Sequence, residues 1–108
     1  MTVDPSFALV GALIGVPARA NMMAALMDGR AQTASELAFV AGVTPQTASS
    51  HLAKLIDAGL LAVERQGRHR YYRLAGPAVA EALEPLSHLA PPSRAPERRR
   101  VQLRRVGE

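Results

Sequence analysis

The sequence predicts a mainly α-helical domain with one small β-hairpin, in the order α-α-α-α-β-β-α. Signals for starting and stopping a helix recur along residues 4–59, an alternating pattern follows over residues 60–74, and helical spacing returns after Pro77. A chain of 108 residues has room for one domain. We therefore expect a folded domain over residues 1–90 and a separate tail over residues 91–108.

The first two predicted helices each begin with a proline. Asp4 and Pro5 suit the N-cap and the first position of a helix that ends near Gly15. Large apolar residues recur along it at helical spacing, namely Phe7, Val10 and Ile14. The second helix is predicted over residues 17–27. Its methionines are interpreted as core residues, because flexible thioether side chains fill irregular gaps in a core.

The third predicted helix covers residues 34–41. Thr33 and Glu36 have the spacing of a capping box, in which the two side chains satisfy two backbone N–H groups at the helix start. Gly42 permits the left-handed turn that ends the helix. The predicted core residues of this helix are Leu37, Phe39 and Val40.

The fourth predicted helix begins at once, because Thr44 and Pro45 repeat the signal of an N-cap followed by proline. It is expected to run to Ala58. Residues 42–44 alone separate it from the third helix, so the two helices must cross steeply, which is the layout of a helix-turn-helix. Its predicted buried face consists of Ala48, Leu52, Leu55 and Ile56.

Residues 60–74 fit a β-hairpin with Gly67 in its turn. The alternating positions are taken to be Leu61, Val63, Tyr71 and Arg73. A final helix is predicted over residues 77–89, and Pro85 should kink or shorten it because proline lacks the N–H that a helix interior needs. A helix-turn-helix followed by such a hairpin, or wing, is a winged helix-turn-helix, and we expect its second helix to enter the major groove of duplex DNA.

Short or amide side chains occupy the start of the fourth helix. Glutamine can bond bidentately to adenine, and serine or threonine can donate to bases or phosphates. An ordinary exposed helix face is the alternative interpretation. Serine and threonine form helices poorly, however, so such a face would lower helix stability without structural return. The predicted DNA-contacting residues are Thr44, Pro45, Gln46, Thr47, Ser49, Ser50, His51 and Lys54.

The tip of the predicted hairpin is strongly basic. Arg68, His69 and Arg70 suit a wing that lies along the phosphate backbone or touches the minor groove. The alternative is a solvated edge whose charges prevent pairing with another sheet. The position of the hairpin directly after the predicted groove-binding helix favours contact with DNA.

Residues 43–74 resemble the recognition helix and wing of the ArsR/SmtB family of bacterial winged-helix repressors, and the similarity covers roughly residues 5–90. The helix motif is matched by Ser49, His51, Leu52, Lys54, Leu55, Ala58, Gly59 and Leu60. The wing motif is matched by Gly67, Arg68, Tyr72 and Leu74. The resemblance implies a homodimer whose first and last helices form the interface. A domain this small can hardly bury their apolar stripes alone. The predicted interface residues are Phe7, Val10, Ile14, Val79, Leu83 and Leu86.

The chain departs from the metal-sensing members of that family. It contains no cysteine, and Ala38 and Val40 stand where those members carry Cys-x-Cys. Glu81, Glu84 and His88 lie on the last predicted helix but lack the paired-histidine spacing of a tight transition-metal site. We therefore predict no metal site and no cofactor, and the sequence identifies no inducer.

The sequence also lacks catalytic motifs. No phosphate-binding glycine loop is present, and Ser49 and His51 do not face each other on their helix. We therefore predict a non-enzymatic, sequence-specific DNA-binding regulator, a repressor that acts on an inverted-repeat operator. The alternative is a winged-helix module for protein contacts, or a fragment of a longer regulator. Without a membrane-spanning run or a signal peptide, no membrane partner is expected and the location is predicted to be cytoplasmic.

The positive charge of the chain is concentrated in its tail. Residues 1–90 carry equal numbers of basic and acidic side chains, whereas residues 91–108 carry six arginines and two glutamates. With three prolines and few large apolar groups, this tail is predicted to be a disordered basic segment. Two interpretations of the tail stay open. It could bind DNA phosphates, or it could be a solubilising end or the remnant of a longer chain.

Overall fold

The structure, a computed structural model, describes residues 5–89, with side chains from Phe7 onwards. The predicted tail, residues 91–108, lies outside the described residues. Seven elements confirm the predicted order, five helices and one hairpin. They are α1 (Pro5–Ile14), α2 (Pro17–Ala25), α3 (Ala34–Ala41), α4 (Pro45–Asp57), β1 (Leu61–Gln66), β2 (His69–Leu74) and α5 (Pro77–Ser87).

Short-range interactions fix the first helix of the helix-turn-helix and the turn that follows it. The Oγ1 of Thr33 accepts a hydrogen bond from the Glu36 amide at 3.2 Å, and the Glu36 carboxylate accepts one from the Thr33 amide at 2.8 Å. Gly42 adopts a φ of 71°, a left-handed conformation that a side chain would strain. The predicted capping box and glycine turn are therefore confirmed.

The core lies between α2, α3 and α4, closed on one side by the hairpin. Met22 and Met23 of α2 belong to it, as predicted, and so does the expected inner face of α4. Met27, also predicted to be a core residue, lies beyond the end of α2 and is only half-buried. Ile56 lies at the edge of that face and is half-buried. The largest fully buried side chains are Met22, Met23, Leu26, Leu37, Leu52 and Leu55.

The predicted core of α3 was partly wrong. Leu37 is buried, but Phe39 is 85 % exposed and Val40 is 47 % exposed. The residues on the buried side of this helix recur at helical spacing. They are Leu37 and the alanines at positions 34, 38 and 41. Phe39 and Val40 lie outside that stripe, so their position on the helix predicts their burial better than their hydrophobicity does.

The hairpin has a two-residue turn at Gly67 and Arg68, and its register corrects the predicted alternation. Leu61 lies opposite Leu74, and Val63 opposite Tyr72. Directly opposite residues share a face, so the return strand turns Tyr72, not Tyr71, toward the core. The prediction was displaced by one residue on β2, and a shift of one residue moves every side chain to the other face.

A short bridge that the sequence did not predict joins the helices to the hairpin. The backbone amides of Gln32 and Tyr72 each donate to the carbonyl of the other, at 2.9 and 2.7 Å. The Gln32 side-chain amide also donates to the Ala25 carbonyl at 3.0 Å. The helix α2 ends at Ala25 and not at residue 27, and the bond from Gln32 satisfies the carbonyl of its last residue.

The other helix ends lie close to the predicted positions. The helix α4 ends at Asp57, one residue early, and α5 ends at Ser87 with Pro85 inside its last turn. Within residues 5–89 no single helix combines the length and apolar composition that a membrane crossing requires. The helices α1 and α2 reach both only together, across a bend of 86°.

Candidate nucleic-acid interface

The helix α4 presents a polar outer face, defined here as the polar face: Gln46, Thr47, Ser49, Ser50 and Lys54. All five side chains are exposed, whereas Ala48, Leu52 and Leu55 on the opposite side are buried. Because the core holds the inner side of the helix, the outer side chains have a defined direction and remain free to meet a ligand. The sequence prediction placed these five residues in contact with DNA.

Thr44 and Pro45 are exposed as well, but the structure gives Thr44 a clear local role. Its Oγ1 accepts a hydrogen bond from the Thr47 amide at 3.1 Å and lies 3.0 Å from the Thr47 hydroxyl. This N-cap satisfies one of the amides that lack an intrahelical partner at the start of α4. The remaining backbone amides of the first turn have no intrahelical acceptor, so the N-terminus of α4 is favourable for binding a phosphate.

His51 lies at the boundary between the polar face and the core. It is half-buried, and its Nδ1 accepts a hydrogen bond at 3.0 Å from the Nε of Arg19, on α2. Partial desolvation lowers the pKa of His51 below the ordinary histidine value, and the positive charges of Arg19 and Lys54 lower it further. The sequence prediction grouped His51 with the exposed residues and missed Arg19, which no local motif connects to α4.

The wing, residues 61–74, ends in a cluster of exposed cations. Arg68 occupies the turn beside Gly67, whose φ is 62°, and Arg65 lies directly opposite Arg70 on the two strands. His69, also exposed, stacks at a tilt on Tyr71 with ring centroids 6.2 Å apart. Within the described residues none of these three arginines has an acidic partner.

Arg73, at the base of the wing, differs from the arginines at the tip. Its Nε donates to the Glu64 carboxylate at 3.2 Å, and its Nη1 donates to the carbonyls of Leu74 and Ala75. These bonds join the hairpin to the segment that leads into α5. Because Glu64 neutralises Arg73, the unpaired positive charge of the wing is concentrated at its tip.

The structure brings all six predicted interface residues together in one groove of about 660 Å³ between α1 and α5, here called the apolar groove. Phe7 is 78 % exposed and Leu86 is 50 % exposed, although both are large and apolar. Val79 and Leu83 are half-buried against the core. The residues that the sequence assigned to a dimer interface thus form one continuous surface, namely Phe7, Val10, Ile14, Val79, Leu83 and Leu86.

No group of three potential metal ligands comes together among residues 5–89. Glu81, Glu84 and His88 are exposed at separate positions along and just after α5. Ala38, at one position of the family's Cys-x-Cys motif, is buried, whereas Val40 at the other is exposed. The two positions therefore lie in different environments, one in the core and the other at the surface.

A family model described as a helix-turn-helix domain matches residues 15–64. These residues run from the end of α1 through the helix-turn-helix into β1. The chain is 48 % identical over 89 residues to YdfF of Bacillus subtilis (strain 168), an uncharacterized HTH-type transcriptional regulator. The match covers 82 % of this chain and 39 % of that relative, so the chain spans about two fifths of its length.

Two solved structures show the same fold. The homodimeric winged helix-turn-helix DNA-binding domain of Mb0332 from Mycobacterium bovis, a possible ArsR-family transcriptional regulator, is 28 % identical with a TM-score of 0.64. That match covers 82 % of this chain and 88 % of the other. The cadmium metal-sensor CmtR from Mycobacterium tuberculosis is 30 % identical, with a TM-score of 0.64 and coverage of 81 % and 92 %. The predicted fold and family are confirmed: the chain belongs to the ArsR-type winged helix-turn-helix transcriptional regulators.

Proposed function

We propose that this protein binds duplex DNA as a homodimer and represses transcription from an inverted-repeat operator. The observation that carries the proposal is the succession, within residues 44–70, of an exposed polar helix face and a hairpin tip whose arginines have no acidic partner among residues 5–89. A fold that holds these two surfaces in fixed succession can read base edges with one and hold the phosphate backbone with the other. Such a regulator is not an enzyme.

In this proposal the polar face of α4 lies in the major groove. Gln46 can donate to and accept from adenine in one bidentate contact, whereas Thr47 and Ser50 reach bases or phosphates. Ser49 and Lys54 are exposed on the same face and suit contacts with the flanking backbone. Sequence preference therefore resides in the first two turns of α4.

The tip of the wing supplies affinity without sequence preference. Arg68 and Arg70 are exposed guanidinium groups, and His69 lies between them in sequence. Each phosphate that a cation neutralises releases condensed counterions, which makes binding depend on salt concentration. The wing therefore raises affinity for all DNA sequences to a similar degree.

The apolar groove supports the homodimer. A second copy of the chain would cover Phe7 and Leu86, whose exposure in one protomer is unfavourable, and a two-fold axis would pair the same surface with itself. The Mb0332 domain, which shares the fold, is homodimeric. Two recognition helices related by such an axis fit half-sites about 34 Å apart, one turn of DNA.

The proposed function places the protein in the cytoplasm, where bacterial DNA lies, and requires neither a cofactor nor a membrane. The similarity to a cadmium sensor does not extend to thiolate ligands, because this chain contains no cysteine. A soft metal such as cadmium prefers thiolates. We therefore propose no metal inducer.

The proposal is tested by selecting bound sequences from a random duplex library and measuring their affinity between 50 and 200 mM salt (about the range in which counterion release is evident). We expect an inverted repeat and tighter binding to it than to random DNA, by a factor of about 10³ or more. Binding that does not distinguish sequences would contradict the operator. No DNA binding at all would favour the alternative of a protein-interaction module.

A further inference from the structure

Three helices meet at one side chain, that of Arg19. Its Nη1 donates to the Leu13 carbonyl in the last turn of α1 at 3.3 Å, and its Nε donates to His51 Nδ1 on α4 at 3.0 Å. Arg19 itself belongs to the first turn of α2. Within the described part of the chain, these are the side-chain hydrogen bonds that connect α1 and α4 through α2.

The bond to α1 has a clear physical basis. Carbonyls in the last turn of a helix have no intrahelical donor, and that end of the helix carries a partial negative charge. The guanidinium of Arg19 offers both a donor and a positive charge to Leu13. The next residue, Ile14, lines the apolar groove, so Arg19 is attached to the end of α1 that borders the proposed dimer interface.

The bond to α4 determines the state of a ring in the proposed recognition helix. Because Nδ1 of His51 accepts a hydrogen bond, a neutral ring must carry its proton on Nε2. His51 follows Ser50 on the polar face and precedes Leu52 in the core. A fixed His51 therefore restrains the rotation of α4 at the point where its exposed and buried sides meet.

We infer that Arg19 is a positioning residue that fixes the recognition helix relative to the dimer interface by bonding Leu13 and His51 at the same time. This inference rests on the proposed function. In a dimer, the distance between the two recognition helices depends on how each α4 is held against its own α1. Arg19 thereby determines which half-site spacing the dimer accepts, although it contributes no base contact itself.

The first test concerns the link itself and needs no DNA. Arg19→Lys keeps the charge but removes the planar guanidinium whose separate N–H groups reach two acceptors. Arg30→Lys is the matched control, because Arg30 pairs at the surface with Asp28 at 3.0 Å. Long-range ¹H–¹⁵N spectra of the imidazoles should show one Nε2–H tautomer for His51 in wild type and in the control. Arg19→Lys should give a mixture of tautomers, and an unchanged His51 spectrum would overturn the inference.

The second test measures half-site spacing. The preference is the ratio of affinities for the selected inverted repeat and for a repeat lengthened by one base pair. We expect Arg19→Lys to lower this ratio about fivefold or more, which is the lower end of common couplings between sites. Dimer affinity and the dependence on salt should stay near wild type. If Arg19→Lys fails to fold, Arg19→Gln, which also lacks the guanidinium but lies outside the proposed recognition helix, should cause the same loss.

The two proposals fail in different ways. If wild-type protein binds no DNA, the proposed function is wrong, and with it the role of Arg19 in spacing. If wild-type protein selects an inverted repeat but both variants keep its spacing preference, only the inference about Arg19 is wrong. A loss of thermal stability with unchanged spacing preference would likewise reduce Arg19 to a structural residue.

Discussion

Arg65 and Arg70 lie directly opposite each other on the two strands of the wing, both exposed and without an acidic partner among the described residues. Like charges at such positions destabilise a hairpin. A wing arranged in this way is more stable when a polyanion lies beside it, which links the charge pattern of the free protein to its proposed ligand.

Replacing one of these arginines should therefore separate stability from binding. Arg70→Glu places opposite charges across the strands and should raise the free energy of unfolding by about 0.2–1 kcal/mol. The same change should weaken binding to every DNA sequence and flatten the dependence on salt. Urea denaturation and fluorescence anisotropy measure the two effects. Arg30→Glu changes the net charge equally outside the wing, and an equal loss of DNA affinity there would contradict a specific role for Arg70.

Substitutions in the polar face should change DNA binding differently from substitutions in the wing. Gln46→Ala, Thr47→Ala or Ser50→Ala should relax sequence preference at one position of each half-site, with about 1–3 kcal/mol lost for each true base contact. Competition between the selected operator and its single-base variants measures this loss. A change in preference caused by Arg68→Ala and not by the helix variants would reverse the assigned roles.

The apolar groove should hold the dimer together. Phe7→Asp and Leu86→Asp place a charge in a surface that is buried only on association, so they should give monomers at micromolar concentration in sedimentation experiments. Leu83→Asp should do the same but should also destabilise the protomer, because Leu83 packs against the core. Phe39→Asp is the control, since Phe39 is exposed on α3 outside the groove. A monomeric wild-type protein would contradict the assembly.

Stability should fall when His51 is forced to take up a proton. The pKa of His51 is lowered in the folded state, so the unfolded chain binds the proton more readily in the pH range just below the ordinary value of 6.5. The free energy of unfolding should therefore decrease as the pH falls through 6.5, and the decrease should end below the folded-state pKa. The lowered pKa of the Asp28 carboxyl, held down by hydrogen bonds from Arg30, acts only in more acidic solution.

The pH effect is measured by urea denaturation of wild type and of His51→Gln, which keeps an acceptor for Arg19 but does not titrate. The two proteins should lose stability to different extents between about pH 7.5 and pH 5 (a range that spans the ordinary histidine value). Identical pH profiles would show that His51 does not carry the effect.

Truncation tests the tail, whose residues lie outside the described structure. Deletion after Leu89 removes six arginines and should leave the dimer and its preferred site intact. Affinity for random DNA at low salt should decrease, because each phosphate neutralised contributes about 0.9 to the slope of log affinity against log salt. An unchanged slope would assign the tail no part in DNA binding.

Much of the candidate site could be predicted because it lies within one stretch of sequence. Local capping by Thr44 and Pro45 predicts the start of α4, and the polar side chains after them predict its exposed face. The wing follows directly, with Gly67 as its turn. What could not be predicted involves partners distant in sequence, such as Arg19 and His51, which are 32 residues apart.

The sequence by itself determined where both helices of the helix-turn-helix begin and where α3 ends, because capping residues, prolines and Gly42 act on the backbone beside them. Only the tertiary structure decided which side chains face inward. The core accepted alanines and excluded Phe39, and the register of β2 selected Tyr72 over Tyr71. The physical reason is that burial depends on what lies opposite a side chain, and elements far apart in the sequence supply that surface.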